Sequence, residues 1–237
     1  MSCAHAKSAS DPGALRSRPV PRRSYARAAD ALAVALLGRT LVRVLGDGTR
    51  LAGRIVETEA YLGPEDRAAH CFGGRRTARN ESMYGRPGTA YVYFTYGMHH
   101  CFNVVCGREG EPAAVLIRAL EPVEGLGEMR RRRSARRGGV IHDTDLCSGP
   151  GRLCEAMGID RGDDGVDLAG AGSRVFIVGP GAGGRADEEV VNTARIGVSY
   201  AGEWADRPLR WFVAGSPHVS RGGSRAGSRR SGVRSLR

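Results

Sequence analysis

Val56-Glu57-Thr58-Glu59-Ala60-Tyr61 and, further on, Tyr91-Val92-Tyr93-Phe94-Thr95-Tyr96-Gly97-Met98-His99-His100-Cys101-Phe102-Asn103 decide how this chain is read. In a strand, residues i and i+2 share a face, so Glu57 and Glu59 project together at a separation of about 6.5 to 7 Å. In the second stretch Tyr91 and Tyr93 point one way and Val92 and Phe94 the other. Gly97 permits a reversal and Cys101 resumes the extended pattern, which predicts a β-hairpin with Tyr96 and Met98 near its tip. Arg75, Arg76, Arg79 and Arg86 lie between the two stretches. Paired acids, aromatic faces and phosphate-seeking cations are the equipment for chemistry on a nucleic acid base.

Working outward, Leu32, Val34, Leu36 and Leu37 followed by Gly38 predict a short helix over 28–37. Thr40 to Leu45, the Gly46-Asp47-Gly48 turn and Leu51 to Tyr61 read as a hairpin that leads into the two glutamates. Pro64 could begin one helical turn over 65–70, and 73–87 reads as a polar, Arg-rich loop. Ala113 to Leu120 is an apolar strand interrupted only by Arg118, whose guanidinium needs an acidic or phosphate partner; Glu57 and Glu59 are the candidates. An Arg-faced helix is expected over 125–137, a loop over 138–145, and a helix over 152–157 opened by Ser148-Gly149-Pro150. Further strands are expected at 175–178, 190–198 and 209–213, with Trp204 and Trp211 in the core.

The 237 residues, 41% of them hydrophobic, are enough for one sizeable core. No apolar run reaches the length of a membrane span and the N-terminus lacks the apolar core of a signal peptide, so an intracellular protein with no membrane partner is expected, in the bacterial cytoplasm or the eukaryotic nucleus. The net charge of +11 is carried by the two ends: residues 1–27 sum to +5 and residues 221–237 to +6, while the remainder balances. Both ends are rich in Ser, Gly and Arg and are expected to be disordered cationic arms. They either raise salt-dependent affinity for a polyanion or simply solubilise the chain.

All but one of the 36 basic residues are arginine, and the one lysine is Lys7. A core lysine is therefore not on hand to form a Schiff base, so glycosidic chemistry would run through an activated water. The six cysteines show no Cys-x-x-Cys pair and are expected as buried free thiols. Neither a metal nor a cofactor is expected, since the six histidines lack ligand spacing and no phosphate-binding glycine loop is present.

The ordered strings Val56 to Asp66 with Ala68-Ala69-His70, Pro87-Gly88-Thr89 with Tyr91-Val92-Tyr93 and Tyr96-Gly97-Met98, Arg118-Ala119-Leu120-Glu121-Pro122, and Ala201-Gly202-Glu203-Trp204-Ala205 resemble the eukaryotic-type alkyladenine (3-methyladenine) DNA glycosylase family of base-excision repair. The resemblance covers roughly residues 28–220. It implies a single mixed α/β (α+β) domain with a curved, largely antiparallel sheet, surrounding helices and a protruding β-hairpin. By the same resemblance, Glu59 is the general base that activates the attacking water, and Arg118 and the carbonyl of Ile196 help to hold that water. Tyr61, His70 and Tyr93 line the pocket around a flipped base, Asn103 screens purines by clashing with an exocyclic amino group, and Tyr96 enters the minor groove to fill the gap in the stack. The implied partner is duplex DNA carrying a damaged purine, engaged by a monomer. The implied reaction is release of 3-methyladenine or 7-methylguanine, with hypoxanthine and ethenoadenine left open.

Other readings stand beside this one. From spacing alone, Glu57 and Glu59 could be a solvated acidic face, or an inverting glycoside hydrolase pair, whose carboxyls sit about 6.5 to 9.5 Å apart. A noncatalytic protein that binds damaged DNA would also need the pocket and the hairpin.

Overall fold

The computed structural model describes residues 18–137, 139–180 and 188–220. Helix α1, Ala29–Leu36, buries Ala29, Leu32, Ala33 and Leu36, the i, i+3, i+4, i+7 stripe of a one-faced helix. Leu37 leaves helical geometry and Gly38 takes φ 74°, turning the chain into strand β1, Arg39–Val44. Strand β2, Arg50–Tyr61, returns antiparallel to β1 through the expected 46–48 turn.

The remaining strands are β3, Ala90–Thr95; β4, His99–Cys106; β5, Ala113–Glu124; β6, Val175–Pro180; β7, Val190–Thr193; and β8, Arg210–Val213. Their order is β3-β4-β5-β2-β1-β6, every pairing is antiparallel, and β7 and β8 branch from the second half of β2. The expected α+β fold is thus found, with β3 and β4 forming the protruding hairpin at one edge. Helices α2, Leu126–Arg137, α3, Asp143–Leu146, and α4, Pro150–Met157, complete the elements. Leu153, Cys154, Ala156 and Met157 of α4 join α1 and the sheet in one core. Among the described residues no helix is long and apolar enough to cross a membrane.

β2 is the strand on which the sheet branches. It pairs with β5 along its length, with β1 over Arg50 to Arg54 and with β8 over Glu57 to Glu59, and its side chains are buried almost throughout. Three register shifts interrupt the β2–β5 ladder, the first where Ala52 faces Glu124 but Gly53 faces Pro122, the other two around Glu57. Ile55 faces Leu120 while Glu57 faces Ala119, which leaves Val56 as the extra residue; Thr58 then faces Ile117, which leaves Arg118 as the extra residue on β5. A bulge bends its strand and re-aims a side chain, and this pair flanks Glu57.

Several expectations are corrected. The N-terminal arm expected over 1–27 does not extend over 18–27: Val20 and Tyr25 are buried in the core, and Arg22 is held by Asp167 at 2.6 Å and by the Pro87 carbonyl at 2.9 Å. Two apolar anchors and a fixed arginine outweigh the entropy that the composition alone predicted would win. The other expected arm residues, 1–17 and 221–237, lie outside the described residues.

The expected helical turn at 65–70 is a run of tight turns, because the Asp66 carboxylate accepts from the amides of Leu62 and Ala68 and so competes with helical bonding. The 138–145 loop contains the start of α3. Helix α4 begins at Pro150 rather than 152, and Ser148 accepts from Arg152 instead of capping it. Strand β7 stops at Thr193, freeing 194–198 to reach the centre of β2. The five cysteines among the described residues are buried free thiols, as expected.

Phe102 on β4 is fully buried where the hairpin joins the core. Phe102→Ala is expected to lower unfolding free energy by about 3–5 kcal/mol, measured by urea titration; a loss below about 1 kcal/mol would show that the hairpin base is not packed as described.

Candidate nucleic acid base site

Glu57 and Glu59 point to the same side of β2, as the i, i+2 spacing predicts, and both are fully buried. This removes the reading of a solvated acidic face. Thr58, on the opposite side, donates to the carbonyl of Ala33 in α1. The bulged Arg118 inserts its guanidinium between the carboxylates, with Nε donating to Glu57 Oε1 at 2.9 Å and Nη1 lying 3.1 Å from Glu59 Oε1. The acidic partner expected for Arg118 is thus both glutamates.

Glu57 is saturated. Oε1 also accepts from Arg210 Nε at 2.7 Å and from the Ser220 hydroxyl at 2.8 Å, and Oε2 accepts from the Ser220 amide at 2.7 Å. Burial opposes its ionisation, but the charges of Arg118 and Arg210 with the Ser220 amide prevail and hold its pKa below the usual carboxylate value. Burial likewise works against the charge on Arg118, and the Glu59 and Glu57 carboxylates outweigh it and raise its pKa. With every contact of Glu57 committed to structure, a two-carboxylate hydrolase pair has no second member.

Glu59 is held differently. Oε1 accepts from the Ile196 amide at 2.7 Å as well as from Arg118, and Oε2 accepts from the Tyr61 hydroxyl at 3.0 Å. Burial, and then the adjacent Glu59 carboxylate, push the Tyr61 pKa well above its ordinary value, so its hydroxyl keeps the proton that it donates.

Tyr61 and Arg118 open onto a cavity of about 170 Å³ that is also lined by His70, Tyr91, Tyr93 and Asn103. Tyr61, His70, Tyr93, Asn103, Arg118 and Ile196, picked from the sequence, all border this cavity, and Glu59 lies just behind it. The His70 and Tyr93 rings meet edge to face at 4.5 Å between centroids, and Tyr91 and Tyr93 at 5.4 Å. Burial, reinforced by Arg79 and Arg75, lowers the His70 pKa to about 4, so the imidazole is neutral at neutral pH. Its Nδ1 lies 2.7 Å from the Tyr91 hydroxyl. Asn103 spends its amide nitrogen on the carbonyls of Tyr91 at 3.0 Å and Cys101 at 3.4 Å, which leaves the amide oxygen as its uncommitted polar atom.

At the mouth stand Thr95 and Tyr96 of the hairpin, Pro150 at the start of α4, and Tyr200. Tyr96 is 81% exposed, with Met98 and Tyr200 also exposed nearby in the fold. It is also the one non-glycine residue among the described residues with positive φ, at 51°. An exposed aromatic in a sparsely populated backbone region carries two costs, and strain of this kind gathers at functional sites.

Residue selection from the sequence missed Tyr91, although period-2 alternation places it on the same face as Tyr93. It also missed Tyr200 and the buried pair Asp66 and Arg195, for which no local pattern exists.

A family model described as methylpurine-DNA glycosylase (MPG) matches residues 23–217. The human DNA-3-methyladenine glycosylase is 53% identical over 193 residues, 80% of this chain and 63% of that protein, and the mouse protein of the same name is 53% identical over 57% of its length. The chain therefore spans less than two thirds of those two mammalian relatives. A putative 3-methyladenine DNA glycosylase of Burkholderia orbicola is 48% identical over 85% of this chain and 90% of its own length.

Because Glu57 has a folded-state pKa below the unfolded value of about 4.3, it contributes stability above that pH, and the contribution is lost as pH falls through the folded-state pKa. Glu57→Gln leaves Arg118 and Arg210 underpaired in the interior and is expected to cost roughly 3–5 kcal/mol near neutral pH. It should also flatten the fall in stability below about pH 4. Urea unfolding across a pH series would show this; identical acid limbs for the two proteins would contradict it.

Proposed function

The chain belongs to the methylpurine-DNA glycosylase family, and from that premise we propose that it is a monofunctional DNA glycosylase. It turns an alkylated purine such as 3-methyladenine or 7-methylguanine out of duplex DNA and hydrolyses the N-glycosidic bond with water, leaving an abasic site. The observation that carries this reading is Glu59, fixed by Ile196, Arg118 and Tyr61 behind an aromatic-walled cavity that has Tyr96 exposed at its mouth.

Each proposed step is assigned to a residue already placed. A base in a duplex hides its glycosidic bond, so the nucleotide must leave the stack at a cost of a few kcal/mol. Tyr96, preset at a hairpin tip, fills the vacated space in the minor groove and offsets part of that cost. The aromatic-lined cavity is the proposed seat of the single extruded base. Its Tyr61, Tyr93 and His70 rings present faces and edges to the base; an aromatic face attracts a cation by about 0.5–2 kcal/mol, so an N-alkylated, positively charged purine gains more than a normal one. Asn103 adds a filter, because its fixed amide crowds a purine with an additional exocyclic amino group.

The cationic base is a good leaving group, so the protein has two tasks, to stabilise developing positive charge on the sugar and to place a nucleophile. Glu59 performs both: its carboxylate opposes the oxocarbenium-like charge and takes the proton of the attacking water. Arg118 and the Ile196 carbonyl help to hold that water. Arg118 also fixes Glu59 Oε1, which leaves Oε2, with Tyr61 its one partner among the described residues, with free lone-pair capacity. Lys7 being the single lysine in the sequence supports water over an amine as nucleophile.

Glu59→Gln is expected to reduce single-turnover base release by roughly 10²–10⁴-fold, while binding to a duplex with one alkylated purine is retained. Release at the wild-type rate would remove Glu59 as the base. For Tyr96→Ala, a fluorescent base analogue opposite a normal nucleotide should report a smaller flipped fraction; an unchanged signal would assign the tip residue no part in extrusion.

A further inference from the structure

Arg195 and Asp66 form an ion pair with no solvent exposure on either side chain. The pair is bidentate, with Arg195 Nη1 to Asp66 Oδ2 at 2.6 Å and Nη2 to Oδ1 at 2.8 Å. The guanidinium also donates to the carbonyls of Ala60 at 2.9 Å and Trp204 at 3.3 Å. Nε remains without a partner among the described residues. Removing both charges from water is costly, and such a pair is often no more stabilising than an apolar replacement, so its net stability does not account for it. What it fixes in place is the other candidate.

The pair touches Glu59 through two routes. Ile196, the next residue in the chain, donates its amide to Glu59 Oε1 at 2.7 Å. Arg195 also lies over the Tyr61 ring, with its guanidinium carbon 4.8 Å from the centroid, and Tyr61 donates to Glu59 Oε2 at 3.0 Å. One planar group therefore locates a donor to each oxygen of the same carboxylate. Asp66 in turn is anchored by the amides of Leu62 and Ala68, in the turn segment that carries Ala68 and His70 to the cavity wall.

We infer that Arg195, locked by Asp66, is a positioning residue for Glu59: it sets the Ile196 amide and the Tyr61 hydroxyl that orient the carboxylate toward water. The inference rests on Glu59 being the general base. A lysine can keep the charge at this position but not the planar fork or its stacking on Tyr61.

The test compares the full chain with Arg195→Lys, Asp66→Asn and Glu59→Gln. Single-turnover release of 7-methylguanine at saturating protein, equilibrium binding to the same duplex, and melting temperature are measured for each. Displacing a catalytic group by a fraction of an ångström to an ångström costs up to about 10²-fold. Arg195→Lys is accordingly expected to slow release roughly 10- to 100-fold, with binding within about threefold of wild type and melting temperature within a few degrees. Asp66→Asn should slow release in the same direction with binding retained; it leaves the Arg195 charge buried without its carboxylate and is expected to lower the melting temperature as well, so it is read on release against binding, and it carries the test if the lysine variant does not fold. Wild-type rates in the folded variants, or a rate loss matched by loss of binding and melting temperature, would overturn the positioning role while leaving Glu59 as the base. Base release by Glu59→Gln at the wild-type rate would overturn the reading of Glu59 and the inference with it.

Discussion

Two carboxylates and two guanidiniums, Glu57, Glu59, Arg118 and Arg210, are buried together where β2 meets β5 and β8. An isolated buried charge is prohibitively costly, so each must find an opposite partner and a near-complete set of hydrogen bonds. Arg118 meets that demand for both glutamates at once, and it can do so because a bulge takes it out of ladder register with β2. The bulge at Val56 lets the ladder realign at Glu57. Most of the surrounding architecture follows from this constraint: β8 brings Arg210, the chain up to Ser220 supplies a hydroxyl and an amide, and β5 supplies the bridging cation.

The two glutamates thereby acquire different fates from similar burial. Glu57 is bound by fixed protein groups on both oxygens and acts as the counter-ion that keeps Arg118 in place. Glu59 is held by one amide, one guanidinium and one phenol, and its Tyr61 partner is itself part of the cavity wall. Charge pairing on one side and aromatic side chains on the other place an oriented carboxylate behind the wall of the cavity. The hairpin adds the exposed tyrosine, held at positive φ, at the mouth of that space.

Much of this was legible in local patterns. The stripe of α1, the alternation of β3 and β4 and the Gly46-Asp47-Gly48 turn follow from periods of 3.6 and 2 and from turn chemistry. The shared face of Glu57 and Glu59, and the need of Arg118 for an acid, came from the same reasoning, and Tyr91 was available to it. What was not legible depends on partners distant in the chain. Bulges at Val56 and Arg118 are properties of a strand pair, not of either strand alone. Asp66 and Arg195 are 129 residues apart, and the turn at Asp66 makes sense only once its carboxylate has partners. Tyr25 and Val20 lie in an Arg- and Pro-rich stretch whose composition argues for disorder, and only the cavity they fill reverses that argument.

On the function proposed above, water and no protein amine attacks the glycosidic bond of an alkylated purine. Protein in excess should be incubated with a duplex bearing one labelled 7-methylguanine, and free base and strand breaks followed separately, the breaks before and after alkali. Free base with breaks appearing only after alkali is the predicted result. Breaks without alkali, or tight binding to the duplex with no base released, would contradict the account.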